Sequence, residues 1–237
     1  MKCIAIVPAY NERGAIGGVI EEIRAFDPSF DVLVVDDASH DGTADVARSH
    51  GAIVVTLPFN LGIGGAVQTG FRYAAQNGYD LAARIDGDGQ HDPGELRELV
   101  DAVSSGRADI CVGSRFAGAD GYRSSRSRRV GIRILAGTVS MLTHQRVTDT
   151  TSGFQVLDRK AIELFAADYP HDYPEVEAAV MLHKHRLRMM EVPVRMRERA
   201  AGRSSIRGFQ TVYYMAKVML AILVGALRRR ATPLEDT

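Results

Sequence analysis

The sequence predicts an α/β fold: a mostly parallel central sheet flanked by helices, with a basic helical C-terminal extension. Three observations carry that expectation. Short β-branched runs alternate with segments of helical periodicity through the first hundred residues. Carboxylates and glycines gather directly after those runs, where strand ends would lie. Charge is polarised along the chain: residues 1–100 carry 7 basic and 15 acidic groups, 101–183 carry 10 of each, and 184–237 carry 12 basic and 4 acidic. The totals cancel at 29 Lys+Arg and 29 Asp+Glu, yet a well-mixed neutral surface is excluded, and the acidic half and basic tail must meet different partners. A hydrophobic content of 46% with 24% charged residues excludes wholesale disorder. The length of 237 residues suffices for a sizeable core.

Taken in order, Cys3–Val7 reads as a buried strand and Ala15–Phe26 as a helix. Val32–Val35 leads into Thr43–Ser49, and Ile53–Leu57 into Gly65–Gln76. Leu81–Ile85 leads into Pro93–Ser104, where Asp92 is a good N-cap and Pro93 takes the first helical position. Asp109–Val112 is a fifth strand. This rhythm predicts parallel strands, helices on both faces and ligands at the strand C-terminal ends. After Ser114 the rhythm breaks. Arg123, Arg126, Arg128, Arg129 and Arg133 lie among Gly and Ser, and an amphipathic stretch spans Val130–Leu142. There follow a strand-like Gly153–Leu157, helices Arg159–Ala166 and Glu175–His185, and the extended run Met189–Val194. A basic loop over 199–208 precedes an apolar helix, Phe209–Leu227. The expected division is one domain over 1–207 and an amphipathic helix and tail over 208–237.

Cys3 and Cys111 are too far apart for a metal motif and sit in apolar runs, so both read as buried thiols. The histidines show no metal spacing. No charged segment followed by a long apolar stretch opens the chain, which predicts a cytoplasmic location.

Several motifs fall at predicted strand ends. Pro8-Ala9-Tyr10-Asn11-Glu12 follows the first strand and offers an aromatic face and a carboxylate to a base or ribose; a plain turn with Asn11 as a helix cap is the alternative. Asp36 and Asp37 follow the second, with a turn at Asp41-Gly42 and a helix start at Thr43. Asp37 suits donors on a nucleobase or ribose, against a solvated acidic loop. Asn60–Ala66 resembles a phosphate cradle, although Val67 stands where the dinucleotide fingerprint needs Gly. Asp86-Gly87-Asp88-Gly89-Gln90-His91-Asp92-Pro93 is the sharpest signal. Two carboxylates one residue apart can hold Mg²⁺ or Mn²⁺ against a diphosphate. A calcium loop starting at Asp86 fails, because its sixth position is His91 and its twelfth Arg97. Asp149–Phe154 is a polar turn, and Arg199–Ser205 a basic loop suited to phosphate oxygens.

Together these motifs resemble an inverting family 2 glycosyltransferase of GT-A fold, most similar to the dolichol-phosphate mannose synthase and polyprenyl-phosphate glycosyltransferase group. The resemblance rests on PAYNE (8–12), DDASHDGT (36–43), NLGIGGAVQTG (60–70), DGDGQHDP (86–93), GSR (113–115), TSGF (151–154), EVPV (191–194) and RAAGRSSI (199–206). It implies that Pro8, Tyr10, Glu12 and Asp37 bind the nucleoside, with Gly64 near the base. Asp86, Asp88 and Gln90 would surround the metal and donor diphosphate. Arg115, Arg199 and Ser204 would hold phosphates, and Asp88, Arg115 and Arg199 would be the catalytic set. Gln155 stands where the family often has Arg, and Ser205 where the mannose synthases often have Lys.

The implied reaction is metal-dependent transfer of one hexose from a nucleotide sugar, GDP-mannose or UDP-glucose, to a polyprenyl phosphate at the membrane surface. Two alternatives stay open: transfer to a sugar hydroxyl in a cell-surface polysaccharide, with Asp149 or Glu177 as base, and a non-catalytic nucleotide- or lipid-binding module. Phe209–Leu227 is interrupted by Lys217 and closed by Arg228–Arg230. Its uninterrupted apolar core, Val218–Leu227, falls short of the roughly 20 residues of a bilayer span. It reads as an interfacial helix on anionic lipid. The expected placement is therefore peripheral, on the inner face of the cell membrane, with a separate membrane-protein partner or self-association and no nucleic acid.

Overall fold

The computed structural model describes residues 1–118, 126–170 and 174–197, with no side-chain description for 126–133 or 174–175. Arg123, Arg199, Ser204, the 199–208 loop and the whole 208–237 segment with its expected helix lie outside the described residues.

Seven strands form one sheet: β1 (Cys3–Ala9), β2 (Phe30–Asp36), β3 (Ile53–Thr56), β4 (Leu81–Arg84), β5 (Ile110–Ser114), β6 (Gln155–Asp158) and β7 (Met189–Pro193). Their order is β3-β2-β1-β4-β6-β5-β7. Every residue of β1 is buried, as a strand covered on both faces requires. Its alternation splits the core into two layers. Ala5 and Val7 pack with Ile16, Ile20 and Ile23 of α1 (Ile16–Phe26) and with Leu96 and Leu99 of α4 (Leu96–Ser104). Ile4 and Ile6 pack with Val67 and Phe71 of α3 (Gly62–Gln76) and Ile162 and Phe165 of α6 (Arg159–Ala167). The α3–β1 approach is close, and a Cβ at Gly70 would collide with Ile6.

Pairing runs past the strand ends. Asp37 N donates to Ala9 O at 2.9 Å and Gly87 N to Pro8 O at 3.3 Å, so the chain beyond β2 and β4 flanks the end of β1. The acidic motifs thereby share one edge. α2 (Thr43–Ser49) starts where expected, after Gly42 at φ +90°. Asp92 caps as expected, accepting from Gly94 N at 2.9 Å, but Pro93–Glu95 is a 3-10 turn before α4.

The strand-like Gly153–Leu157 joins the mostly parallel sheet as its reversed member, since β6 lies antiparallel between β4 and β5. The chain re-enters the sheet at the ligand edge, with Gln155 opposite both Arg84 and Val112, so it can only run the other way. The remaining helices, α5 (Arg126–Thr143) and α7 (Pro174–Lys184), bury Leu135, Val139, Val176 and Val180 together in a third, smaller cluster. Cys3 and Cys111 are free and buried, and burial pushes the Cys111 thiol up to about 12. Among the described residues no helix is long and apolar enough to cross a membrane.

Candidate active site

The loop after β1 is zipped to the loop after β2. Asn11 N donates to Ser39 Oγ (2.9 Å), His40 N to Asn11 Oδ1 (3.0 Å), and Glu12 N to Thr43 Oγ1 (2.9 Å). Asn11 takes a left-handed φ of +55° and therefore serves the turn rather than capping α1. Pro8 is buried at the strand end, Glu12 is half-buried, and Tyr10 beside them is 47% exposed.

Asp37 is buried, and its oxygens accept from Leu61 N (2.7 Å) and Gly62 N (2.9 Å). A carboxylate there satisfies donors at the start of α3 and lies favourably at the positive end of the helix. This explains why α3 begins at Gly62, three residues before the apolar periodicity starts. What Asp37 holds directly is the Asn60–Gly64 turn, with Gly64 buried in the first turn of the helix.

The Asp86–Pro93 loop follows β4. Asp88 Oδ1 accepts from Gln90 N at 3.0 Å, and Gln90 O accepts from Arg197 N at 2.9 Å. Arg197 also bridges Glu22 (2.7 Å) and Asp92 (3.0 Å), stitching the chain just before Arg199 to this loop. Asp86 N donates to His91 Nδ1 at 3.1 Å, which leaves the ring proton on Nε2, 3.9 Å from Asp86 Oδ2. His91 is buried and stacked on Phe154 at 4.8 Å between centroids. Burial lowers its pKa, and the charges of Asp86 and Asp88 only partly oppose this, so the ring is neutral.

Beneath Asp86 lies Arg84, 1% exposed, with Nη2 at 3.7 Å from Asp86 Oδ1 and Nη1 donating to the Tyr169 hydroxyl at 3.2 Å. Gly153 covers the same spot, since a Cβ there would stand 2.9 Å from Asp86 Oδ1 and from Arg84 Nη2. Asp86 Oδ1 is itself buried and accepts no hydrogen bond. No group of three or more His, Cys, Asp or Glu among the described residues could hold a metal ion. The protein's offer is therefore a pair of carboxylates, one with an unsatisfied oxygen. That fits a hard cation whose other ligands are phosphate and water oxygens.

Arg115 follows β5 and clamps Asp149: Nε to Oδ2 at 2.7 Å, Nη2 to Oδ1 at 2.8 Å and the backbone N to Oδ2 at 3.1 Å. The side chains are 8% and 0% exposed. Burial pushes the Asp149 carboxyl up, but the Arg115 hydrogen bonds and charge outweigh it and hold it below the usual carboxylate range. Asp149 is thus an orienting anion and a poor base. Glu191 of β7 secures the turn, accepting from Thr148 N (2.9 Å), Thr148 Oγ1 (2.6 Å) and Asp149 N (3.1 Å). Glu177 lies half-buried on α7.

The roles of four residues escaped the sequence reading: Arg84, Arg197, and His91 and Glu191 within the quoted motifs. Arg84 alone left a clear local signal, a charge inside the apolar run LAARI. The others act through partners remote in sequence.

A parallel-led sheet with acidic loops gathered at its C-terminal edge is the arrangement on which α/β proteins commonly bind ligands. Residues 4–165 match the profile of Glycosyl transferase family 2, and the chain belongs to that family: it is a glycosyltransferase. It is 31% identical to the polyprenol monophosphomannose synthase of Mycolicibacterium smegmatis, over 92% of this chain and 85% of the relative. It is 32% identical to the undecaprenyl-phosphate mannosyltransferase of Micrococcus luteus, over 88% of each. Among solved structures it resembles glucosyl-3-phosphoglycerate synthase from Mycobacterium tuberculosis in complex with Mn²⁺, UDP and glucosyl-3-phosphoglycerate, with a TM-score of 0.68 and 21% identity, covering 95% of this chain and 79% of that one. The fold is GT-A.

Proposed function

We propose that the protein transfers a single hexose, with inversion, from a nucleotide sugar to a polyprenyl phosphate at the membrane surface. The observation that carries this reading is the Asp86–Asp88 loop, which flanks the end of β1 and holds a buried carboxylate oxygen without a donor. Asp86 and Asp88, with Gln90 beside them, would hold Mg²⁺ or Mn²⁺. Such a cation supplies charge neutralisation to the departing nucleoside diphosphate. Pro8, Tyr10, Glu12 and the turn fixed by Asp37 would seat the nucleoside. Arg115, its fork aligned by Asp149, would face the phosphates together with Arg199 and Ser204.

The state of Asp149 supports an anionic acceptor. A hydroxyl acceptor needs a base to take its proton, and Asp149 is held ionised by Arg115. A polyprenyl phosphate already carries its charge. The names of the mycobacterial and Micrococcus relatives put mannose first among the sugars, with GDP-mannose and UDP-glucose as the donors to compare. Docking on the inner membrane face, directly or through a membrane protein or a second copy, goes with this acceptor.

The test is incubation with labelled GDP-mannose or UDP-glucose, Mn²⁺ and polyprenyl phosphate. The expected product partitions into organic solvent and releases its sugar in mild acid. Label that stays in water and requires an added saccharide would establish hydroxyl transfer instead.

A further inference from the structure

We propose that Arg84 makes cation binding at Asp86 conditional on the donor's diphosphate, so that metal and donor enter as a coupled pair. This rests on the reading above, in which Asp86 and Asp88 hold a divalent cation. Arg84 occupies a core position of β4, 1% exposed and on the same face as Ala82 in the layer covered by α3 and α6. An apolar residue of similar volume there would leave stability unchanged or higher, because burying a guanidinium is costly. The charge therefore calls for a reason beyond folding.

Its placement supplies one. Arg84 is the last residue of β4 and Asp86 lies two residues beyond it, where the chain leaves the strand, and Nη2 stands 3.7 Å from Asp86 Oδ1. Gly153 allows that approach, since any side chain there would push between them. The Tyr169 hydroxyl, 3.2 Å from Nη1, keeps the head group aimed at the loop. A fixed positive charge behind the metal-binding carboxylate repels a bare divalent cation and attracts a diphosphate. In the dry layer below the site that repulsion is weakly screened. Bound alone, the cation meets it in full. Bound with the donor's diphosphate, whose two negative charges match its own, it forms a neutral pair, and the two Arg84 contributions largely cancel. The result is positive coupling between the two ligands, which is necessarily reciprocal.

The experiment is a Mn²⁺ titration followed by the paramagnetic resonance of the free ion, on the protein alone and with inorganic pyrophosphate, UDP or GDP. In wild type at least one diphosphate is expected to tighten Mn²⁺ binding by tenfold or more, by roughly the strength of a close charge at intermediate dielectric. Arg84→Met should tighten Mn²⁺ binding to the nucleotide-free protein by roughly tenfold and reduce the coupling to less than about threefold. Arg84→Lys should retain the coupling. Arg84→Gln removes the charge while keeping a donor for Tyr169, and serves if the Met variant unfolds. Equal wild-type affinity with and without every diphosphate overturns the proposal with no variant needed, as does unchanged coupling in a folded Arg84→Met or Arg84→Gln protein. Mn²⁺ binding that survives Asp86→Ala and Asp88→Ala would instead overturn the metal site itself.

Discussion

Asp86 follows β4 and Asp149 lies in the turn between α5 and β6; both are acidic and both have an arginine beside them, yet their surroundings differ in kind. Every oxygen of Asp149 is satisfied, by Arg115 in a two-pronged clamp and by Thr151 N at 3.1 Å. Asp86 keeps a buried oxygen without a donor, and its arginine stands back at 3.7 Å. A saturated carboxylate holds a protein together, while an unsaturated one beside a second carboxylate is arranged for a ligand that arrives later. Asp37 falls on the Asp149 side of this divide, with two backbone donors of α3.

The sharpest way to break the comparison is to remove a carboxylate from each class. Asp88→Ala should lower turnover by about a thousandfold or more, equal to roughly 4 kcal/mol of transition-state stabilisation, with the melting temperature almost unmoved. Initial rates at saturating Mn²⁺ and a thermal melt check this together. A large fall in stability with modest loss of rate would put Asp88 among the structural carboxylates. Asp149→Ala should do the reverse first, costing about 3–5 kcal/mol because the buried Arg115 loses its counter-charge. Urea unfolding measures that, and any loss of activity should follow loss of folded protein and of Arg115 alignment.

Acid sharpens the same contrast without mutation. The folded pKa of Asp149 is depressed, so its contribution is fully present above the unfolded value and is lost as pH falls through the folded one. Stability should decline below about pH 4. The decline should be smaller in Asp149→Asn, which has no such proton to take up; identical acid profiles for the two proteins would contradict the assignment.

How far the sequence foretold this divides along the same line. The strands, the edge on which the acids gather and the Asp86–Asp88 pair were legible, because each is written in a short window of periodicity, turn residues and spacing. Saturation was not. That Asp37 holds the start of α3 depends on residues 61 and 62, and whether Asp149 is a base or a clamp depends on Arg115, 34 positions away. The reversal of β6 was hidden for a related reason: direction in a sheet comes from where the chain re-enters it, and no local pattern records that.

The mildest test uses a second two-pronged pair with opposite exposure. Arg188 holds Asp109 through Nε at 3.1 Å and Nη2 at 2.8 Å, but its side chain is 57% exposed, against 8% for Arg115. Its hydrogen bonds hold the Asp109 carboxyl below the usual range, although solvent screens the pair. The backbone N of Arg188 also donates to Asp109 Oδ2 at 2.7 Å and survives any substitution of the side chain. Arg188→Ala therefore leaves the buried Asp109 with a donor and newly opened to water, and its cost should be far smaller than that of Asp149→Ala, shrinking further in 0.5 M salt at a Debye length of roughly 4 Å. Activity should be untouched, because Asp109 lies at the start of β5, the end of that strand remote from Arg115. Urea melts at low and high salt give the answer: a loss comparable to that of Asp149→Ala would mean that geometry, rather than burial, decides what these clamps contribute.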